Sequence, residues 1–353
     1  MRIQFIVPSI RTLTGGFRVV IEYCHELQKR SHQVTIIYPI WPYDFRRHIT
    51  DWQPLIGRFY EFTMNLLHYK SPPSWLYANI KVLGVPLISN AYIPAADVTI
   101  ATAWPTAYSL AKLNDHIGRR YYLIQGYETW SGPKKRVDDS WKLPLRRLVV
   151  SSWLKNIGQS QLHVDCEGPV MNGVNTGSFY NLNKVYNHPL HLGFIYNPQI
   201  IKGAKYVLEA MDAIHQLYPD ITMQSFGHVR PPALPAYIDF FDQPSQTKIR
   251  ELYNNWDIFI SPSLEEGWGL PSMEAMACKC AVVTTNVGGV PDYTIAGKTA
   301  IVVPPADTNA LVRGVKKLVT DSNLLRQISE SGHQHMTQFT WERATDRLIK
   351  YIT

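Results

Sequence analysis

Short apolar runs alternate with amphipathic stretches along most of the chain. RIQFIVPS (residues 2–9) is an apolar run of strand length, and GGFRVVIEYCHELQKR (15–30) repeats its apolar positions at helical spacing. QVTIIYP (33–39), DVTIATAW (97–104) and RRYYLIQGY (119–127) predict further strands. A second series follows a turn-rich stretch: strand HLGFIYN (191–197), helix AKYVLEAMDAIHQLY (204–218), strand ITMQSFG (221–227) and helix TKIRELYNNW (247–256). NNWDIFISPS (254–263) and AVVTTN (281–286) continue it as buried strands. Strands alternating with helices in both halves predict an α/β protein whose parallel sheets are covered on both faces. Between the halves, MNGVNTGSFYNLNKVYNHP (171–189) replaces apolar periodicity with Asn, Gly and Pro and marks a boundary. The expected organisation is a first domain over 1–175, a second over 186–335, and a closing segment over 336–353 holding the helix TWERATDRLIKYIT.

The chemistry concentrates in LEEGWGLPSMEAMACK, residues 264–279. The strand before it ends at Ser261 and Pro262. The segment PSMEAMAC after it reads as a helix, with Pro271 at the first helical position. Glu266 is therefore expected in the loop leaving a strand, and Glu274 in the first turn of the next helix. Free backbone N–H groups at that helix start can receive phosphate. An anion site flanked by two carboxylates suits a ligand that is part phosphate and part polyol. Simpler readings stay open: a first-turn Glu is favoured by the helix dipole, and Glu265–Glu266 can be a solvated turn. Gly267-Trp268-Gly269 half-matches a dinucleotide-binding turn, but the next strand ends at Asn286 without the carboxylate that fingerprint requires. A nicotinamide site is excluded on that ground.

Two further strand–helix junctions can meet an anion. Gly15-Gly16 follows the first strand, where paired glycines let the backbone approach a ligand and permit φ > 0. Lys202-Gly203 precedes the helix 204–218, a place where lysine opposes the helix dipole and points to an anion there. Ordinary packing for the glycines and a flexible surface lysine remain the alternatives.

EGWGLPSMEAMA, with Glu266 and Glu274 separated by seven residues, resembles the Glu-X7-Glu signature of the GT4 family of retaining GT-B glycosyltransferases. The resemblance implies a GT-B fold: two Rossmann-like β/α/β domains facing a cleft, the first binding acceptor and the second a nucleotide-diphosphate sugar. It also implies that the C-terminal helix returns to the first domain. Glu266 and Lys202 become the expected catalytic residues. Glu274, Gly15, Gly16, Gly269 and Leu270 become donor-binding, with Glu274 on the ribose hydroxyls and Lys202 neutralising the diphosphate. The chain departs from the family in three places. Tyr196 and Asn197 stand where an Arg usually precedes the Lys-Gly. LIQGYETW carries Gln125, Tyr127 and Glu128 instead of a His, so Tyr127 and Glu128 are candidate donor or acceptor contacts. Lys279 stands where a Gly usually caps the helix, and a left-handed residue there costs roughly 1 kcal/mol. No cofactor is expected, and the absence of an Asp-X-Asp pair gives no indication of a metal. The alternative reading is an inactive nucleotide-sugar-binding or partner subunit with the same fold. A phosphorylase of this fold would need a pyridoxal-phosphate lysine site, which nothing in the sequence announces.

Composition fits two globular α/β domains: the chain has 353 residues, 45% hydrophobic and 18% charged. No run of 18 apolar residues predicts a membrane span, and the N-terminal apolar run is too short for a signal peptide, so an intracellular protein is expected. Cys278 and Cys280 lack a matching pair for zinc and are expected to pack in the core. Residues 1–185 hold 21 Lys and Arg against 12 Asp and Glu, whereas the remainder holds 14 against 16. That basic excess, in Arg46-Arg47, Arg119-Arg120, Lys134-Lys135-Arg136 and Arg146-Arg147, fits an anionic membrane surface or a phosphate-bearing substrate, or scattered surface charge. Nucleic acid is disfavoured because no recognition motif accompanies it. Trp41, Tyr43, Trp52, Phe59, Tyr60, Trp75, Trp104, Tyr127 and Trp130 crowd the same half, and residues 41–96 read as the acceptor region, with a lipid-linked saccharide the expected acceptor.

Overall fold

The computed structural model describes residues 1–11, 14–43, 59, 60, 62–64, 66 and 79–353. It divides into two compact units, Met1–Asn172 with Trp341–Thr353 and Gly173–Thr340. Arg46-Arg47, Trp52 and Trp75 lie outside the described residues.

The first unit is built on a parallel sheet of β1 (Arg2–Ile6), β2 (Gln33–Pro39), β3 (Lys81–Val85), β4 (Val98–Ala101), β5 (Arg119–Ile124) and β6 (Arg146–Val149), ordered β3-β2-β1-β4-β5-β6. Strand direction of growth reverses between β1 and β4, so the loops after these strands flank a topological switch point, where ligands of such sheets bind. The first helix, Gly15–Lys29, is capped by Thr14, whose hydroxyl accepts from Phe17 N at 3.3 Å. It buries Val20, Tyr23, Cys24 and Leu27.

The C-terminal helix Trp341–Ile352 belongs to this unit. Tyr23 meets Trp341 edge-on at 5.3 Å, Arg30 pairs with Asp346 at 2.8 Å, and Tyr121 Oη donates to Tyr351 O at 3.0 Å. The helix starts five residues later than the expected segment, because the preceding helix, Ser322–Met336, ends on that segment's first residue and 337–340 connect the two.

The second unit repeats the plan with β7 (His191–Tyr196), β8 (Thr222–Gly227), β9 (Ile238–Asp242), β10 (Ile258–Ser261), β11 (Ala281–Thr285) and β12 (Ile301–Val303), all parallel, ordered β12-β11-β10-β7-β8-β9. Its switch point lies between β10 and β7. Leu192, Phe194, Ile258, Ile260, Val283 and Met211 form the centre of its core. Gly193 in β7 is there for space: a Cβ would lie 1.9 Å from the ring of the fully buried Trp256, which stacks between Phe226 and Phe259. Cys278 and Cys280 are buried free thiols, with Cys280 Sγ 2.8 Å from Tyr253 O.

Candidate active site at the switch point of the second sheet

β7 and β10 are neighbours, so the loops leaving their carboxyl ends lie side by side. The loop after β7 closes as a single 3-10 turn, Ile200–Lys202, and Gly203 follows in the left-handed region (φ 66°). A side chain at Gly203 would place Cβ 2.1 Å from Pro262 O, so glycine is what allows the two loops to touch. Ile201 O then accepts from Leu264 N and Glu265 N at 2.7 and 3.2 Å. These bonds fasten the Glu-bearing loop to the Lys-bearing turn.

The side chains complete the join. Lys202 Nζ donates to Glu266 Oε1 at 2.8 Å, and Ser263 Oγ donates to the same oxygen at 2.8 Å. Glu266 is largely buried (12% exposed) while Lys202 keeps 30%, so the ammonium is the more accessible partner. Next to them, burial pushes the Glu265 carboxyl above the usual range, with Lys202 opposing the shift and Glu266 adding to it. The Glu266 backbone is held from a third side, where Gly289 N donates to its carbonyl at 3.1 Å. Gly288, at φ 51°, passes so close that a Cβ would sit 1.6 Å from that carbonyl oxygen.

The helix carrying Glu274 runs Leu270–Ala277, one residue earlier than expected, with Gly269 at its N-cap in the left-handed region (φ 100°). Glu274 is consequently its fifth residue and does not lie in the first turn, which holds no acidic residue. The dipole explanation for Glu274 loses its footing, since that effect fades beyond the first turn. Glu274 is nonetheless buried at 4% exposure, which is rare for a carboxylate. Tyr293 supports this helix start: its hydroxyl donates to Gly269 O at 3.3 Å, and a Cβ at Gly269 would come within 2.6 Å of it. Trp268 fills the space beneath, against Tyr293 and Met273. Lys279 takes the left-handed conformation (φ 67°) at the end of the helix, and Ser329 Oγ donates to its carbonyl at 2.8 Å.

Asn197, where an Arg is usual in the resembled family, accepts from Gln199 N at 2.9 Å and shapes the loop. It brings no cation.

In the first unit, Gly15 and Gly16 are the first two residues of their helix, and neither adopts positive φ. Their conformational freedom is not what the fold uses; a Cβ on Gly16 would meet only the Gln125 side chain at 3.5 Å. Tyr127 is buried and its hydroxyl donates to Asp138 at 2.6 Å, which ties it into the protein. Glu128 accepts from Trp104 N at 3.0 Å, at the start of the helix Trp104–Leu110. Burial pushes its carboxyl up to about 7, against the pull of that bond. Between pH about 4.5 and 7 the folded chain thus holds a proton that the unfolded chain has released. Stability from this group therefore falls as pH rises through that window, by at most about 3 kcal/mol. Glu128→Gln should have a melting temperature that gains on the wild type from pH 5 to pH 8, measured as the difference between parallel thermal scans.

The basic residues are mostly engaged locally. Lys134 and Lys135 pair with Asp138 and Asp139 at 2.6 Å each, Arg146 with Glu167, and Arg136 lies over the Trp104 ring at 5.1 Å. Trp104 is buried, whereas Trp41, Phe59, Tyr60 and Trp130 are exposed. No helix among the described residues is long and apolar enough to cross a membrane.

Residues 193–335 match the family described as glycosyl transferases group 1. That span takes in the Lys202 turn, the Glu266 loop and the Glu274 helix together. The match lies wholly within the second unit, Gly173–Thr340. Among curated relatives, the capsular polysaccharide biosynthesis glycosyltransferase CapM of Staphylococcus aureus is 35% identical over 95 residues, 26% of this chain and 25% of that protein. The matched segments of the first curated relatives span between about a quarter and just over half of their lengths. Over the whole chain the likeness is one of fold. Sucrose-phosphate synthase from Thermosynechococcus elongatus superposes with a TM-score of 0.73 at 15% identity, covering 99% of this chain and 98% of that one. Anabaena HepE in complex with UDP-glucose gives 0.73 at 14%, covering 100% and 99%. The two units are the two Rossmann-like halves of a GT-B fold.

Ser263, Thr285, Gly288 and Tyr293 had no part in the sequence reading of the site. Gly288-Gly289 after a strand carries the same signal as Gly15-Gly16 and was available. The roles of Ser263 and Thr285 depend on contacts that no spacing encodes.

Proposed function

We propose that this chain is a retaining glycosyltransferase that moves a sugar from a nucleotide-diphosphate sugar to a saccharide or lipid-linked saccharide acceptor, without a metal. The Lys202–Glu266 pair at the β7/β10 switch point carries the reading: it places a cation and a carboxylate where ligands of parallel sheets bind. Glu274 takes the ribose hydroxyls. Glu266 takes hydroxyls of the transferred sugar through its second oxygen, since Oε1 is bound by Lys202 and Ser263. Lys202 and the amides at the start of helix Leu270–Ala277 meet the negative charge that grows on the departing diphosphate. The bond from the anomeric carbon to the phosphate oxygen breaks as the acceptor oxygen bonds to that carbon. The acceptor proton passes to the leaving phosphate, and attack from the same face retains configuration. The family match over residues 193–335 supports the reaction class, and the UDP-glucose held by HepE supports the donor class. The likeness of one segment to CapM supports a role in making a polysaccharide. The basic first unit supports an acceptor held at an anionic membrane surface.

Asn197 in place of a cation favours a second reading, a nucleotide-sugar-binding subunit that transfers nothing. One experiment separates the two. A panel of UDP-, GDP-, dTDP- and ADP-sugars is screened for thermal stabilisation, and the stabilising donor is incubated with a saccharide or polyprenyl-linked saccharide, with and without EDTA. Transfer with retained anomeric configuration by NMR, unchanged by EDTA, is the expected result. Stabilisation without hydrolysis or transfer supports the binding subunit, and no stabilisation by any donor overturns the donor site.

A further inference from the structure

Glu266 Oε1 accepts two hydrogen bonds from within the protein, and one of them comes from a residue with its own fixed support. Ser263 is buried (4% exposed), and its carbonyl accepts from Thr285 Oγ1 at 2.5 Å. Thr285 is the last residue of β11 and is also buried, at 1%. A chain of hydrogen bonds thus runs from a core strand, through Ser263, to the carboxylate that binds Lys202. A buried hydroxyl is retained where its bond is made, because leaving it unpaired is costly. Here Thr285 Oγ1 holds the Ser263 backbone through its carbonyl, and Ser263 Oγ donates to the carboxylate. A carboxylate has about four acceptor sites, and the Ser263 and Lys202 bonds both fall on one oxygen, which fixes the plane of the group and keeps the other oxygen for a ligand.

We infer that Ser263, held by Thr285, is a positioning residue: it orients the Glu266 carboxylate toward the transferred sugar and, through that carboxylate, holds Lys202 in place. The role as a sugar contact rests on the function proposed above, whereas the hold on Lys202 does not. Losing Ser263 leaves the nucleotide-binding carboxylate Glu274 in place on a different element. Its effect falls on the sugar part of the donor and on the transition-state charge that Lys202 meets, and leaves the ground-state hold on the nucleotide.

The test uses the full chain with Ser263→Ala, Thr285→Val and Thr285→Ser, and has two arms. The first needs no donor: the rate at which acetic anhydride labels Lys202 is followed by mass spectrometry. Loosening Glu266 should raise that rate severalfold in Ser263→Ala and Thr285→Val, as in a Glu266→Gln control, and leave Thr285→Ser near wild type. The second arm measures transfer and binding with the stabilising donor of the panel. Ser263→Ala should lower kcat/KM by about ten- to a hundredfold, the range for a lost hydrogen bond to a charged group. The Kd of the free nucleoside diphosphate should stay within about twofold. A wild-type labelling rate in folded Ser263→Ala overturns the inference. So does an equal loss of affinity for nucleoside diphosphate and nucleotide sugar, which marks a structural role. If no donor stabilises the wild type, the functional reading fails, while the labelling arm still decides the hold on Lys202.

Discussion

Lys202→Ala should lower kcat for sugar transfer about a hundredfold or more, while the donor KM moves only severalfold. The size follows from the loss of one fixed charge aimed at a group that becomes negative during reaction. Lys202 can play that part because its turn is bound to the Glu266 loop through Ile201 O and its ammonium is held at 2.8 Å from Glu266. Part of the loss belongs to Glu266, which the substitution deprives of its counter-ion in a site only 12% exposed. A double substitution with Glu266→Gln should consequently fall well short of the sum of the two single losses. Lys202→Arg keeps the charge but exchanges a compact ammonium for a planar fork, and should recover only part of the rate. Steady-state kinetics with the preferred donor decide the matter: an unchanged kcat removes Lys202 from the chemistry.

The second large effect is on binding. Glu274→Ala should abolish most of the thermal stabilisation that a nucleotide-sugar gives the wild type. At a donor concentration a hundred times Kd, a bound ligand adds about 2.7 kcal/mol to the native state. Removing a charged hydrogen-bond acceptor costs roughly 1.5–3 kcal/mol of affinity, so only about 0.3–1.3 kcal/mol of that stabilisation should survive. Glu274→Gln keeps the size and one acceptor and should fall between. Because Glu274 is buried in the helix Leu270–Ala277, each variant is compared with its own ligand-free melting temperature. A full ligand shift in Glu274→Ala would take the ribose-binding role away from it.

Much of the second unit was legible because its signals are local. The run Ile258–Ser261 is apolar on both faces, as a central parallel strand must be, and the Ala- and Met-rich segment after it has no competing conformation. The one-residue error at the helix start came from Gly269, whose left-handed conformation makes it the cap and moves Pro271 to the second helical position. Glu274 moved from the first turn to the second as a result. In the first unit, β3 and β6 went unread because KVLGV is short and RRLV opens on two charges, so neither shows a clean period. The same locality limits the site. Lys202 and Glu266 were each singled out, but their bond joins residues 64 apart in sequence. Tyr127 shows the reverse case: a polar residue at a strand end looked free to meet a ligand, yet its hydroxyl is committed to Asp138. Pairing of that kind is a property of packing and leaves no mark on periodicity.

The helix Trp341–Ile352 packs on the first unit, although the ribosome makes it after the entire second unit. At 5–20 residues per second, roughly 10–30 s separate the emergence of Asn172 from that of Trp341. During that interval Tyr23, Arg30 and Tyr121 lack Trp341, Asp346 and Tyr351, and the first-made half waits with the surface that the last helix covers exposed. The half made second is contiguous and can close first. Birth order and order of completion are therefore opposed in this chain.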